Sequence, residues 1–120
     1  PLNGKIALVT LNTMEDGLPA RLVAILLKTV LYREARRREA TLKRQGGSPQ
    51  SKPCVVMMDE VQELATVDPA SGLSDATFWN VARSTGVAGV FATQTVAALT
   101  QAMGKDAAEN FMQQARSKIF

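Results

Sequence analysis

The sequence predicts an α/β fold in which helices cover a parallel sheet. Short aliphatic runs at residues 5–11, 54–58 and 87–93 alternate with stretches of good helix formers, and this alternation is typical of parallel strands joined by crossover helices. With 120 residues, 46% of them hydrophobic and 21% charged, the chain has the size and composition of one globular domain or part of one. We therefore expect one α/β unit and no second domain.

A long helix is expected after the first strand. Residues 21–44 contain no Gly or Pro, and Pro19 is well placed in a first helical turn. The first half of this helix is apolar nearly all round and should pack against the sheet, whereas the basic second half should project into solvent. Together with the loop that follows, this second half forms a basic extension at about residues 33–53.

The remaining elements follow from aliphatic runs and turn residues. Residues 54–58 (CVVMM) are expected to form a strand buried on both faces. A loop is predicted at residues 64–72, followed by a helix that is capped by Ser74 and closed by Gly86. One or two short helices are expected between residues 95 and 114.

Composition excludes several kinds of chemistry. Cys54 is the single cysteine and the chain contains no histidine, so an internal disulfide, a metal-thiolate centre and a Ser-His-Asp triad are excluded. The longest apolar run, residues 22–27, is far shorter than the roughly 18 residues that suggest a membrane span. We expect a soluble unit in a reducing cytoplasm.

Two adjacent carboxylates at the end of an apolar strand are the strongest chemical signal. Asp59 and Glu60 directly follow residues 54–58, and the carboxyl ends of strands line the ligand crevice of parallel α/β sheets. Phosphoryl transfer needs one carboxylate to help hold magnesium and a second group to orient or deprotonate water. Asp59 and Glu60 are candidates for these roles, and an acidic pair that only caps the next helix is the alternative.

A polar amide follows the next predicted strand. Gln94 comes directly after residues 87–93, so we expect it at the same edge of the sheet as Glu60. Such an amide can hydrogen-bond a terminal phosphate or the attacking water, and the alternative is a glutamine that merely begins the next helix. The two strand ends together favour a nucleotide site.

Three segments, CVVMMDEVQ, FWNVARSTGVAGVFATQTVAAL and SKIF, carry a family resemblance. They are similar to the C-terminal half of the motor domain in TraD/TraG-type coupling proteins, the conjugative ATPases of type IV secretion. The segment GKIALVTL and the long helix after it resemble the strand and helix that precede the Walker B strand in this family. The resemblance implies a RecA-like parallel sheet flanked by helices, present here as one incomplete domain over residues 1–120.

The resemblance also assigns roles to individual residues. It implies that Asp59 organises magnesium, that Glu60 polarises water and that Gln94 senses the γ-phosphate of ATP. Arg83 matches a family position proposed to act as an arginine finger on the nucleotide of a neighbouring subunit. The alternative for Arg83 is an arginine at a helix C-terminus, where positive charge suits the helix dipole.

For the parent protein the resemblance implies cofactors, partners and a location. The cofactors are ATP and Mg²⁺, and the assembly is a homo-oligomeric ring that moves DNA without sequence specificity. The expected protein partners are relaxosome or relaxase proteins. The parent is expected at the cytoplasmic face of the bacterial inner membrane, held there by segments absent from this chain.

One departure from the family pattern bears on activity. No G-x-x-x-x-G-K-[ST] motif occurs in the 120 residues, so the backbone cradle and the lysine that hold nucleotide phosphates are missing. We expect a fragment that neither hydrolyses ATP nor binds it tightly by itself. Two alternatives stay open: a non-catalytic partner-recognition module of a coupling protein, and a part of another RecA-like DNA motor of the HerA/FtsK or packaging type.

Positive charge is concentrated in one stretch of the chain. Lys28 to Lys52 contains eight basic and two acidic residues, whereas the rest of the chain carries a net charge of −3. The arginine stripe, which spans an arc of about 100° on a helix, consists of Arg33, Arg36, Arg37 and Arg44. The stripe is a candidate DNA contact, although the i,i+4 pairs Glu34–Arg38 and Glu39–Lys43 slightly favour a solvated face.

Aromatic residues add little support for binding to nucleic acid bases. Tyr32 is expected to adjoin the arginine stripe, but Trp79 belongs to a different predicted helix, so there is no aromatic interleaving for base stacking. Trp79 and its neighbour Phe78 are expected to pack in the core or against another subunit.

Overall fold

The computed structural model describes residues 4–11, 17–67 and 74–119. The helices and strands of these residues are α1 (Gly17–Arg44), β1 (Cys54–Met58), α2 (Val61–Leu64), α3 (Asp75–Thr85), β2 (Val87–Phe91), α4 (Val96–Met103) and α5 (Lys105–Gln114). A short 3₁₀ turn at Pro49–Ser51 precedes β1. Most predicted elements are confirmed, and the two helices found between residues 95 and 114 agree with the prediction. The strand predicted at residues 87–93 is also confirmed, but it ends at Phe91. Residues 68–73 of the predicted loop and Phe120 lie outside the described residues.

The sheet of the described residues consists of β1 and β2, which run parallel. Cys54 is paired with Val87 at one end and Met58 with Phe91 at the other, so the two strands begin and end together. The connection between them contains α2 and α3, as expected for parallel strands. The chain therefore has a mixed α/β fold in which helices flank a small parallel sheet.

The prediction of a strand at residues 5–11 is wrong. These residues contain no helix or strand, and Ile6 and Leu8 are 100% and 90% exposed. A strand is stabilised by hydrogen bonds and side-chain contacts with a neighbouring strand. No such neighbour lies beside these residues in the described sheet, so β-propensity alone does not make them a strand.

The packing predicted for α1 is also wrong, although the helix itself is confirmed and begins slightly earlier, at Gly17. Its apolar residues Leu22 and Leu26 are 51% and 64% exposed. The buried positions of this helix are Ala20, Ala24, Lys28, Tyr32 and Ala35, and the helix packs on α2, α3 and the 3₁₀ turn. Small alanines allow close approach of these helices, and the two polar residues are buried because they bond to α3.

Aromatic rings form the centre of the core. The Tyr32 and Phe78 rings stack with centroids 3.7 Å apart, and Trp79 meets the Phe91 ring edge-on at 4.7 Å. Phe91 in turn lies 5.0 Å from Phe111. This series of rings connects α1, α3, β2 and α5, and it confirms the packing role predicted for Phe78 and Trp79.

Helices cover one face of the sheet, so the prediction that β1 is buried on both faces is wrong. Met58 is buried, whereas Val55 and Met57 are 61% and 76% exposed. Successive side chains of a strand point to opposite faces. The face that carries Val55 and Met57, and Val90 of β2, is left open to solvent.

The ends of α3 lie where the sequence predicts. Gly86 adopts a left-handed conformation with φ 72° and closes the helix, and a Cβ at this position would lie 2.4 Å from the carbonyl oxygen of Pro49. Ser74 occupies the N-cap position without donating or accepting a side-chain capping bond. Among the helices of the described residues, none has the length and apolar character needed to cross a bilayer.

Candidate functional site

The carboxyl ends of β1 and β2 meet at one edge of the sheet. Beyond the last strand residues the backbones stay connected, because the Ala92 N–H donates to the Met58 carbonyl at 3.0 Å and the Val61 N–H donates to the Ala92 carbonyl at 2.9 Å. These bonds hold the two segments that follow the strands side by side. Glu60 and Gln94 lie at this shared edge, as the strand order predicts.

Two amide groups bind the Glu60 carboxylate directly. Gln94 Nε2 donates to Glu60 Oε1 at 2.7 Å, and Gln62 Nε2 donates to Oε2. The Thr93 hydroxyl donates to Gln62 Oε1 at 2.7 Å and orients that amide. The bonds from Gln62 and then Gln94 lower the pKa of Glu60 below its usual range, so this side chain is a carboxylate at neutral pH.

The backbone of Glu60 has an unusual conformation. Its φ of 48° and ψ of 50° lie in the left-handed region, and among the described residues it is the only residue other than glycine with a positive φ. Left-handed backbone is disfavoured for L-residues with a side chain, and such residues cluster at functional sites. Glu60 also occupies the N-cap position of α2, but its side chain makes no capping bond there. The carboxylate is turned toward Gln62 and Gln94 instead.

Asp59 is the exposed carboxylate of this edge. Its Oδ1 accepts the Glu60 N–H at 2.9 Å, and the residue as a whole is exposed. No three Cys, Asp or Glu side chains of the described residues gather as a metal cluster. Magnesium in nucleotide sites is held by one or two carboxylates together with phosphate oxygens, and Asp59 is the residue here that fits this partial role. We call Asp59, Glu60 and Gln94 the edge site.

Arg83 lies at the opposite end of the sheet from the edge site. It is an exposed residue in the last turn of α3, shortly before the amino end of β2. Its carbonyl accepts a hydrogen bond from Gln50 Nε2 at 2.9 Å. Within one chain, therefore, the structure brings Asp59, Glu60 and Gln94 together and places Arg83 apart from them.

The arginine stripe lies on the exposed side of α1. The predicted pair Glu34–Arg38 is wrong, because Glu34 binds Arg37 Nη1 at 3.0 Å and Arg38 donates to the carbonyl of Lys52. The pair Glu39–Lys43 is confirmed at 2.7 Å, and Lys43 lowers the pKa of Glu39. Tyr32 does not adjoin the stripe, since it is 5% exposed on the inner side of the helix.

A buried cluster that the sequence did not predict lies between α1 and α3. Lys28 Nζ lies 2.7 Å from Asp75 Oδ2, and the Tyr32 hydroxyl donates to Asp75 Oδ1 at 2.5 Å. The Thr66 N–H donates to Oδ2 at 2.8 Å, and Trp79 Nε1 donates to the Tyr32 oxygen at 3.2 Å. We call these residues the buried cluster.

Burial shifts the pKa values of two groups in this cluster, Lys28 and Tyr32. Lys28 and Asp75 are 6% and 2% exposed. Desolvation lowers the pKa of Lys28, and the attraction of Asp75 opposes that shift. Desolvation also raises the pKa of Tyr32 well above its usual range, and the neighbouring Asp75 carboxylate adds to the increase. One sequence signal marks this cluster: Lys28 is a lone charge that interrupts the apolar stretch of residues 22–31.

Comparison with known families identifies the chain. A family model described as the TraM recognition site of TraD and TraG matches residues 53–120, more than half of the chain. The chain therefore belongs to this family, and the resemblance to TraD/TraG-type coupling proteins of conjugation is confirmed. No curated protein and no solved structure matches it. The matched segment includes the edge site, whereas α1 lies outside it.

Proposed function

We propose that this chain supplies the part of a conjugative coupling protein that recognises TraM, a relaxosome component. The observation that carries the proposal is the family match over residues 53–120, whose description is recognition of TraM. That match favours a recognition module over the catalytic motor that the strand-end motifs predict. Recognition needs neither a phosphate-binding loop nor a bound nucleotide.

Within the matched segment, the open face of the sheet is the surface best suited to a protein contact. Val55, Met57 and Val90 are 61%, 76% and 50% exposed, and they lie on adjacent paired strands. Protein interfaces bury an apolar centre inside a polar rim, and exposed apolar patches mark interaction sites. The residues at the edge site would supply polar groups at the rim of this contact.

Binding of purified TraM to the 120-residue chain, in the absence of nucleotide, tests the proposal. We expect a complex that Met57→Glu weakens by about tenfold or more, because the substitution buries an unpaired charge in an apolar contact. Ile6→Glu is the matched control, since Ile6 is an exposed apolar residue like Met57 but lies outside the matched segment. Absence of a complex contradicts the proposal. If wild type and Met57→Glu bind TraM equally well, the open face of the sheet is not the contact surface.

A second candidate function rests on the contact between Gln94 and Glu60. A carboxylate and an amide that meet at the carboxyl edge of neighbouring parallel strands fit a Walker B glutamate and its γ-phosphate sensor in a RecA-like ATPase. In that case Asp59 holds Mg²⁺, Glu60 polarises the attacking water and Arg83 serves the nucleotide of a neighbouring subunit in a ring. The position of Arg83, away from the edge site of its own chain, is compatible with such a role between subunits. DNA contact by the arginine stripe belongs to this candidate.

This second function is tested in the complete coupling protein. Glu60→Gln should abolish ATP hydrolysis and spare nucleotide binding, because the amide keeps the shape of the side chain but cannot accept a proton from water. Arg83→Ala subunits mixed with Glu60→Gln subunits should regain part of the activity, because each subunit supplies what the other lacks. If Glu60→Gln still hydrolyses ATP, Glu60 does not polarise the attacking water. If the mixture recovers no activity, Arg83 does not act on the nucleotide of a neighbouring subunit.

A further inference from the structure

The side of α1 that faces solvent carries apolar side chains in its first half and arginine side chains in its second half. The large apolar and basic residues of this outer face are Leu22, Leu26, Val30, Arg33, Arg37 and Arg44. At 100° per residue they all fall within an arc of about 80°. The first three are 51%, 64% and 47% exposed, and the arginines are exposed as well. The outer face is therefore apolar for about 12 Å and basic for about the next 16 Å.

The buried cluster determines which side of α1 faces outward. Ala24, Lys28 and Tyr32 lie on the opposite side of the helix and are 5%, 6% and 5% exposed. Because Lys28 and Tyr32 both bind Asp75, the helix cannot rotate to bury its leucines without separating a buried ion pair. The solvent exposure of Leu22 and Leu26 is thus enforced by specific bonds on the inner side.

The order of apolar and basic residues defines the chemistry of a complementary partner. A helix laid along the outer face would place leucine-like side chains at i,i+4 spacing over Leu22, Leu26 and Val30. Further along, its aspartate or glutamate residues would meet Arg33 and Arg37, and the guanidinium group binds carboxylates with two parallel hydrogen bonds. Apolar contact would supply affinity, and the opposite charges would determine the direction in which the partner lies.

Neither a membrane nor DNA matches this surface as well. A helix that lies in a membrane interface has its apolar and basic residues on different sides of its axis, whereas here both share one side. DNA would bind the arginines through its phosphates, but it would leave the exposed leucines in water. An acidic amphipathic helix covers both halves.

We infer that the outer face of α1 is a docking surface for an acidic amphipathic helix of a partner protein. The surface lies outside the segment matched to TraM recognition, so the inference does not rest on the proposed function. It adds a second protein contact on the opposite side of α1 from the core.

Selection from a displayed library of helical peptides on the 120-residue chain tests this inference. We expect the enriched peptides to carry leucine-like residues at one end and acidic residues at the other. Leu26→Ser should weaken binding of an enriched peptide by about tenfold at any salt concentration, since it removes an apolar contact. Arg37→Ala should weaken binding at low salt and reduce its salt dependence, since exposed charge pairs are screened by salt.

Matched controls use other exposed residues of the same helix. Leu27→Ser changes a leucine that is 46% exposed but lies about 100° away from Leu26 around the axis. Arg21→Ala removes an exposed arginine outside the outer face. Both variants should bind the peptide like wild type, and circular dichroism should show that all four variants keep their helix content.

Several outcomes would overturn the inference. These are a selection that enriches no peptide, enrichment of peptides without acidic residues, and peptide binding that Leu26→Ser and Arg37→Ala leave unchanged. Binding of duplex DNA or of phosphatidylserine vesicles that depends on Arg37 but not on Leu26, without selection of acidic peptides, would make this face a phosphate contact instead.

Discussion

The buried cluster and the edge site are built from similar groups in very different surroundings. In the buried cluster, each carboxylate oxygen of Asp75 accepts hydrogen bonds, and the residue is 2% exposed. At the edge site, each carboxylate oxygen of Glu60 also accepts a hydrogen bond, but Glu60 is only half-buried and the neighbouring Asp59 is exposed. Of the two carboxylates, only that of Asp75 is shielded from water, so the loss of similar hydrogen bonds has different effects at the two sites.

The difference is one of energetics. A charge left unpaired inside the protein cannot regain its hydration, so removing its partner is costly. An exposed carboxylate exchanges a protein donor for water at little cost and is free to exchange it for a ligand. We therefore expect substitutions in the buried cluster to lower stability, and substitutions at the edge site to change binding or activity.

Asp75→Ala should produce the largest effect. Loss of the carboxylate leaves Lys28 buried without its counter-charge, and we expect the free energy of unfolding to fall by about 3–5 kcal/mol. Urea denaturation followed by Trp79 fluorescence measures the change. The double variant Lys28→Met/Asp75→Ala should be more stable than Asp75→Ala alone, because it no longer buries an uncompensated charge. A double variant that is no more stable than Asp75→Ala would contradict this explanation.

Tyr32→Phe should have the next largest effect. It removes the hydrogen bond that the Tyr32 hydroxyl donates to the charged Asp75, and it removes the oxygen that accepts the Trp79 N–H. We expect the free energy of unfolding to fall by about 1.5–3 kcal/mol near neutral pH.

The pH dependence of this variant gives a second measurement. Because the pKa of Tyr32 is raised in the folded state, the folded protein retains a proton that the unfolded chain loses above about pH 10. Wild type should therefore lose stability as the pH rises above about 10, and Tyr32→Phe should lack this decline. Lys28 acts in the opposite direction, since its lowered pKa makes stability rise with pH below the ordinary lysine value. A decline of equal slope in both proteins would exclude Tyr32 as its source.

Gly89→Ala tests whether the sheet transmits strain to the buried cluster. A Cβ at Gly89 would lie 2.3 Å from Phe91 Cζ and 2.9 Å from Trp79 Cζ3, so the rings must move. We expect a loss of about 1–3 kcal/mol, as is typical of overpacking. Trp79 also binds Tyr32, and its fluorescence maximum should shift. Gly47→Ala is the control, because its nearest neighbour is 3.5 Å away; equal effects at both positions would contradict the packing argument.

Glu60→Gln should have the smallest effect on stability. The side chain lies at a hydrated edge, so its urea midpoint should match that of wild type within error. The lowered pKa of Glu60 means that wild type loses stability when acid protonates this carboxylate. We expect this loss to be small as well. If Glu60→Gln lowered the free energy of unfolding as much as Tyr32→Phe does, the edge site would also stabilise the fold. The expected difference between the two regions would then be contradicted.

Much of the local structure could be predicted from the sequence. The bounds of β1, the end of α1 at Arg44 and the closing glycine Gly86 follow from residue type and near-neighbour pattern. The meeting of Glu60 with Gln94 could also be predicted, since each lies within three residues of the carboxyl end of one of two parallel strands. The roles proposed for these residues in nucleotide chemistry stay predictions.

Other features could not be predicted because they depend on distant parts of the chain. Residues 5–11 have the composition of a strand, but a strand exists only beside another. The apolar content of residues 22–27 does not determine which side of α1 is buried. Lys28 and Asp75 are 47 residues apart, so no local pattern indicates that they form a pair.

By itself, the sequence determined the bounds of β1, the end of α1 at Arg44, the glycine that closes α3, the parallel order of β1 and β2, and the family to which the chain belongs. Those properties follow from propensity, caps and motifs that act over a few residues. Only the tertiary structure decided that the leucines of α1 face water while Lys28 lies inside. The physical reason is that burial depends on what packs opposite a residue in space, and a buried charge is tolerated only where its partner is already in place.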